Sequence, residues 1–196
     1  MSIRNELLER LASSEDSLTI SYDIMEQNRL AVSPISLTEA TTFEGRRFYG
    51  EFDAELSSSE TKYIMYQMPS AASNRIIALQ SRSFKSLNGA AEIEILWNST
   101  GVVLGAQLPT FNENRNIPFD ATMTINEVVS VVSDGTVRER DFLQGVGSGN
   151  NSSGAISSDL GFRLYSPDSF FIAKITNLET QVNRIHISYT WLELKS

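Results

Sequence analysis

From Phe48 to the end of the chain, apolar and polar residues alternate with a period of two in one segment after another. This alternation is typical of β-strands that have one face buried and one face exposed, and Gly, Asn, Ser and Pro separate the segments. The sequence therefore predicts about ten strands. They are Phe48–Leu56, Tyr63–Met68, Arg75–Phe84, Ala90–Trp97, Val102–Gln107, Thr122–Val132, Thr136–Phe142, Leu160–Tyr165, Phe170–Asn177 and Val182–Leu194.

Three of these segments show which residues should face the core. The C-terminal strand should bury one set of side chains (Ile185, Ile187, Tyr189, Trp191) and expose the other (Arg184, His186, Ser188, Thr190). In Ala90–Trp97, one face is apolar (Ile93, Ile95, Trp97), and the other carries Glu92, Glu94 and Leu96. Phe170–Asn177 is apolar on both faces near its start, as expected for a strand that is covered on both sides.

The order of the segments predicts an all-β fold. No helical crossover fits between the strands, and several follow one another at spacings of about 8–12 residues, which favours an antiparallel β-sandwich of jelly-roll-like type. A short helix should precede it, with Ser2 as the N-cap and Ile3, Leu7, Leu8 and Leu11 at helical spacing. We expect residues 1–45 to form this N-terminal helix and an extended arm, and residues 46–196 to form the sandwich. The helix could pack on its own domain or on a neighbouring subunit.

Composition excludes several classes of function. The formal net charge is −8, which disfavours a nucleic-acid-binding surface. The tight basic pairs, Arg46-Arg47 and Arg138/Arg140, are interpreted as solvated surface. There is no cysteine, so disulfides and thiolate metal sites are excluded. No apolar run approaches the roughly 18 residues of a membrane span, and the N-terminus lacks a signal-peptide pattern, so we expect synthesis in a cytoplasm.

Few residues offer reactive chemistry. The single histidine, His186, lies on the polar face of the last strand with Ser188, and no triad signature accompanies them. Glu92 and Glu94 should lie roughly 6–7 Å apart on one strand face, a separation that could suit a glycosidase but that also describes a solvent-facing strand. Asp134-Gly135 is a turn signal. We therefore expect no catalytic, cofactor-binding or metal-binding residues.

One loop is almost free of apolar residues. Residues 144–154 read QGVGSGNNSSG, which lacks the lysine and the spacing of a phosphate-binding loop. The segment is interpreted as an exposed surface loop, or as one that becomes ordered only against a neighbour.

The order of several motifs resembles that of small virion proteins of tailed phages. The chain reads RIIALQSRSFKSLNGAAEIEILWNSTG from Arg75, then LPTFNENRNIP, SDGT and SPDSFFIAKITNLETQVNRIHISYTWLEL. Glu113 departs from the resemblance, because it stands where a polar or basic residue is more usual. The resemblance covers about Phe48 to Leu194. Its features fall on Arg82, Gly89, Ile95–Trp97, Asn112–Asn116, Gly135-Thr136, Pro167, Ile175–Asn177 and Trp191–Glu193.

This resemblance implies a non-enzymatic jelly-roll component of the virion, such as a capsid decoration (cement) protein that binds the particle as an oligomer, often a homotrimer. The partners would be phage capsid or tail proteins, with no nucleic acid, membrane or cofactor. The alternatives are a tail or collar accessory protein, a carbohydrate-binding module for host adhesion, and a trimeric hydrolase acting through Glu92 and Glu94. A lectin-like role would need exposed aromatic rings, and the candidates are Trp97, Trp191, Phe170 and Tyr189.

Overall fold

The computed structural model describes residues 18–24, 29–35, 37–116, 119–144 and 155–195. The predicted N-terminal helix lies outside this range, as does the predicted loop 144–154 apart from Gln144. The elements are β1 (Leu18–Ile24), β2 (Arg29–Ile35), α1 (Leu37–Phe43), β3 (Arg47–Leu56), β4 (Thr61–Gln67), a 3₁₀ turn (Ala71–Ser73), β5 (Arg75–Ser86), β6 (Ala91–Trp97), β7 (Val103–Gln107), β8 (Phe111–Asn112), β9 (Thr124–Ser130), β10 (Thr136–Leu143), β11 (Ala155–Tyr165), β12 (Phe170–Asn177) and β13 (Asn183–Lys195).

Two antiparallel sheets pack face to face as a β-sandwich, which confirms the predicted fold class. The first sheet has the order β11-β5-β13-β3-β8, and the second has the order β10-β6-β12-β4-β9-β7. Eight of these strands, β3 to β6 and β10 to β13, pair as β3-β13-β5-β11 and β4-β12-β6-β10. This is the strand order of a jelly roll: the chain passes between the sheets at every step except from β6 to β10, which pair in one sheet, and the last strand lies between the first and the third.

The ten predicted strands are all present, with ends shifted by a few residues. The structure adds elements that the sequence analysis did not predict. They are the β1–β2 hairpin, which forms a separate two-stranded sheet, the two-residue strand β8, and α1. The helix packs against β3 and β13, and Gln80 of β5 donates a hydrogen bond to Thr38 Oγ1 of the helix at 2.9 Å. It therefore covers one end of the first sheet.

The core lies between the sheets and is rich in aromatic rings. The predicted inward face of β13 is confirmed, since Ile185, Ile187, Tyr189 and Trp191 are all at most 1% exposed. Tyr66 of β4 stacks on Phe171 of β12 with ring centroids 4.7 Å apart, and its ring lies 4.2 Å from that of Tyr189 across the sandwich. These contacts join the centres of the two sheets, as expected for aromatic pairs in a close-packed interior.

The buried tyrosines should make the protein sensitive to alkali. Burial raises the pKa of both Tyr66 and Tyr189, because the ionised phenolate would lose its hydration. The unfolded chain releases these protons near pH 10, whereas the folded chain retains them. Stability is therefore fully present below about pH 10 and is lost as the pH rises from there toward the raised folded values.

We expect the melting temperature to fall steeply above about pH 10 in the wild type and less steeply in Tyr66→Phe, which has no proton to release there. Tyr49→Phe is the matched control, because Tyr49 is half-buried at the surface. The measurement is thermal unfolding by circular dichroism across the alkaline range. Identical pH profiles for Tyr66→Phe and the wild type would contradict the expectation.

Candidate functional site: the insertion between β6 and β10

The most distinctive feature of this jelly roll is a long insertion between two neighbouring strands. Trp97 at the end of β6 pairs with Thr136 at the start of β10, and the intervening chain forms β7, β8 and β9. These strands extend the sandwich on its far side, because β9 pairs with β4, β7 pairs with β9, and β8 pairs with β3. The insertion therefore adds strands beside β3 and β4, on the side of the sandwich opposite β6 and β10, where it begins and ends.

The two ends of the insertion pass over the outer face of the second sheet. Val102 and Val131 pack there against a small apolar cluster of Met65, Leu96 and Ile172, whose side chains are at most 5% exposed. This contact explains why β6 and β12 are covered on both faces, and it confirms the two-sided burial predicted for Phe170–Asn177.

Asp134 anchors the base of the insertion. Its carboxylate accepts hydrogen bonds from Lys174 Nζ at 2.6 Å and from Tyr63 OH at 3.1 Å, and its backbone carbonyl accepts one from Ser99 Oγ at 2.7 Å. Gly135 follows with a φ of 74°, in the left-handed region that favours glycine. The chain passes through Asp134-Gly135 from the bridge between Ser133 and Thr100 into β10, and the hydrogen bonds of Asp134 tie the insertion to β4 and β12.

The interpretation of Glu92 and Glu94 as a solvent-facing pair is wrong for Glu94. Glu94 is buried because the insertion and its base cover this face, and it lies between Arg140 Nε at 3.0 Å and Lys174 Nζ at 3.2 Å. Burial raises the pKa of the Glu94 carboxyl, but hydrogen bonds from Arg140 and Lys174 outweigh it, so the pKa lies below its usual value. A glycosidase acid needs a raised pKa, so this arrangement suits an ion-pair network better.

His186 also lies among carboxylates. Its Nδ1 is 2.9 Å from Asp53 Oδ1, and its Nε2 is 3.2 Å from Glu51 Oε1. Hydrogen bonding to His186 and to Arg184 lowers the pKa of Asp53. Because both ring nitrogens face carboxylates on the outer surface of the first sheet, the imidazole is not placed to take a proton from Ser188.

The basic pairs are largely neutralised by acidic neighbours. Arg46 lies 3.3 Å from Glu44, Arg47 lies 2.8 Å from Glu113, and Arg140 lies 3.2 Å from Glu92. Glu113, the residue that departs from the phage-like pattern, is therefore the partner of Arg47. Arg138 and Arg140 are exposed, as the solvated-surface interpretation predicted, whereas the side chains of Arg46 and Arg47 are partly buried.

Aromatic residues that could have formed a sugar-stacking surface are used for packing instead. Trp191 and Tyr189 are fully buried, and Trp97 stacks on Tyr165 at 5.7 Å. Phe170 is half-buried and packs on the cluster around Leu96. Tyr189 and Trp191 are therefore closed to a sugar, and Trp97 and Phe170 are partly covered by other side chains.

Residues of the phage-like motifs lie at structural junctions. Arg82 of β5 is buried and pairs with Glu139 of β10 in the opposite sheet. Asn177 Nδ2 donates to the carbonyls of Ser57 and Gln181, each at 2.8 Å. Glu193 accepts hydrogen bonds from Thr122, two residues before β9 begins. These motif residues hold the jelly roll together, and the structure does not gather them into one site.

Exposed apolar residues of the insertion escaped the sequence analysis. Val103 and Leu104 of β7 are exposed at the edge of the second sheet, and Val129 and Val132 beside them are 71% and 84% exposed. We refer to β7 and these two valines as the uncharged ribbon. Its signal was present in the sequence, because the predicted strand Val102–Gln107 contains no charged residue. Alternation alone could not reveal that both of its faces would be open to solvent.

The described residues contain no cluster of three or more side chains that could hold a metal ion. Within the same ranges, no helix has the length and apolar character needed to cross a membrane. Comparisons with protein-family models, with curated proteins and with solved structures found no match. Function therefore has to be argued from the fold and from the surfaces that the insertion builds.

Proposed function

We propose that this chain is a non-enzymatic structural component of a tailed-phage virion, a decoration protein that binds the capsid surface as an oligomer. The observation that carries the proposal is the complete jelly-roll order of eight strands, an architecture that recurs in viral capsid and lectin domains. The ordered motifs that resemble phage virion proteins support it, since several of them hold this architecture together.

The chemistry of the surface supports a binding role over catalysis. Glu94 and Glu139 both have pKa values lowered by basic partners that outweigh burial, and His186 lies between two carboxylates. In an active site, burial and neighbouring charges usually shift the pKa of a catalytic group toward the pH at which the enzyme works. Glu94 and Glu139 are instead held in ion pairs, which stiffen a scaffold.

The edges of the two sheets indicate where copies of the chain would meet. Three edges carry features that discourage strand pairing: β8 has two residues, β10 carries four charged residues in succession, and β11 has a register shift between Asp159 and Arg163. The fourth edge, β7, has neither charge nor proline. Its pairing with β9 is irregular in two places, so we expect side-chain packing of the uncharged ribbon rather than a long backbone ladder.

The charge distribution favours a second copy of the chain as the partner that binds the uncharged ribbon. Each copy carries a net charge of −8, so two copies repel each other overall. At the uncharged ribbon, apolar side chains can be buried without such repulsion. Self-association there, as a homotrimer, would give the multivalency that lets weak individual contacts hold a protein on a particle.

Leu104→Lys is expected to shift the protein from oligomer to monomer, because a buried ammonium without a partner opposes association. Leu178→Lys is the matched control, since Leu178 is also half-exposed but lies in the β12–β13 connection. Sedimentation velocity at micromolar concentration measures the change. A monomeric wild type, or equal behaviour of the two variants, would overturn association through the ribbon.

The virion role itself is tested on particles. Mass spectrometry of purified particles of the encoding phage should detect the chain at a copy number related to the capsid symmetry, and cryo-electron microscopy should place it on the capsid. Density on the tail or collar would favour the alternative of an accessory protein. Complete particles that contain no copies of the chain would refute the proposal.

A further inference from the structure

We propose that a cleft in the insertion binds a neutral carbohydrate. The cleft has a volume of about 500 Å³ and lies where β7 ends, β8 pairs with β3 and the chain turns toward β9. This volume is in the range of small-molecule sites in proteins. The inference does not depend on the phage assignment, and it uses none of the four aromatic residues that the sequence suggested.

Two aromatic rings supply apolar surface in this cleft. Phe111 and Phe119 both line the cleft. Their side chains are 44% and 53% exposed, respectively. Phe111 packs against Tyr49 with ring centroids 5.2 Å apart, so one side of the ring is supported by the sandwich while the ring remains open to solvent. A supported, half-exposed ring is a suitable surface for the C–H face of a sugar.

The backbone around the rings is held in place before any ligand binds. Asn112 Nδ2 donates to the carbonyls of Gly45 at 2.8 Å and Phe119 at 3.2 Å, and Asn112 Oδ1 accepts from the backbone N–H of Asn114 at 2.9 Å. Asn114 Oδ1 in turn accepts from the N–H of Asn116 at 3.1 Å. The two phenylalanines are thereby tied to a common frame, which lowers the entropic cost of binding.

Four polar side chains of the cleft are available to a ligand. Gln107, Thr110, Arg115 and Asp120 line it, and none of them makes a side-chain hydrogen bond or ion pair with another described residue. Together they provide both donors and acceptors, as adjacent sugar hydroxyls require. One positive and one negative charge cancel, so the cleft suits a neutral ligand, and the acidic protein as a whole disfavours nucleic acid.

Binding of the full-length protein to an array of immobilised neutral, N-acetylated and acidic oligosaccharides tests the inference. The strongest ligand is then titrated in solution by isothermal calorimetry. We expect a neutral or N-acetylated glycan to bind, and Phe119→Ala to weaken it about tenfold through loss of the stacking surface. Asp120→Ala should weaken it by a similar factor, about tenfold, through loss of a charged acceptor.

Phe142→Ala is the matched control, because Phe142 is also more than half exposed but lies on β10, away from the cleft. It should bind like the wild type. Absence of any glycan signal for the wild type would overturn the inference, as would Phe119→Ala and Asp120→Ala variants that bind as tightly as the wild type. A preference for acidic over neutral glycans would overturn the assignment of a neutral ligand.

Discussion

Replacing Glu193 with alanine is expected to destabilise the protein by about 3–5 kcal/mol, since it leaves several buried donors without an acceptor. Glu193 lies in β13 and is only 2% exposed. Its carboxylate accepts hydrogen bonds from the backbone N–H and the hydroxyl of Thr122, both at 2.7 Å, and from the N–H of Met123 at 3.2 Å.

These hydrogen bonds connect the last strand of the jelly roll to the segment that leads into β9. Without them, the N–H groups of Thr122 and the buried Met123 would have no carboxylate acceptor at the point where the insertion rejoins the sandwich. We therefore expect the insertion to loosen before the core does. Amide hydrogen exchange in β7 and β9 should therefore speed up in the variant by more than its loss of global stability accounts for. Urea denaturation measures that global loss.

Two variants separate this mechanism from general damage. Glu193→Gln retains an acceptor oxygen and should lose less stability than alanine does. Glu55→Ala changes an exposed glutamate on β3 and should change the unfolding free energy by at most about 0.5 kcal/mol. If Glu193→Ala proves as stable as Glu55→Ala in urea denaturation, the anchoring role of Glu193 is wrong.

Gly135→Ala is the second substitution for which we expect a large loss, about 3 kcal/mol or more. Gly135 has a φ of 74°, and a Cβ there would collide with the backbone carbonyl oxygen of Trp97 and lie 2.7 Å from Ser99 N. Because these neighbours are backbone atoms at the base of the insertion, they cannot move aside as a flexible side chain would. The base must open to accept the methyl group.

Gly105→Ala is the control for Gly135→Ala. A Cβ at Gly105 would lie 3.3 Å from the exposed side chain of Val129, and its φ is not in the left-handed region. We expect a change within about 1 kcal/mol in either direction. Urea denaturation of both variants gives the comparison, and a Gly135→Ala protein as stable as Gly105→Ala would show that the turn tolerates another conformation.

Strand positions were predictable because alternation is local. Whether a residue faces the core follows from its place in a period of two, and this is why Ile185 to Trp191 could be assigned correctly. The same alternation runs through Leu18, Ile20, Tyr22 and Ile24 and could have revealed β1. Strand β8 has two residues and is too short to show any period.

The candidate sites were much less predictable than the strands. Glu94 looked exposed, because its strand alternates, and only the insertion that crosses this face buries it. Phe111 and Phe119 gave no signal, since their exposure depends on where β8 pairs and how the asparagines turn the chain. Trp191 and Tyr189, which alternation assigns to the core, are buried there and offer no ring face to a ligand.

The sequence by itself determined the all-β class, the position of ten strands and the inward face of those that alternate, because each depends on neighbouring residues alone. The tertiary structure decided the jelly-roll order, since β3 pairs with β13 through residues such as Leu56 and Asn183 that are far apart in the chain. It also decided the path of the insertion, and with it the uncharged ribbon and the cleft. Long-range pairing, which no local pattern encodes, determines which surfaces are left for a partner.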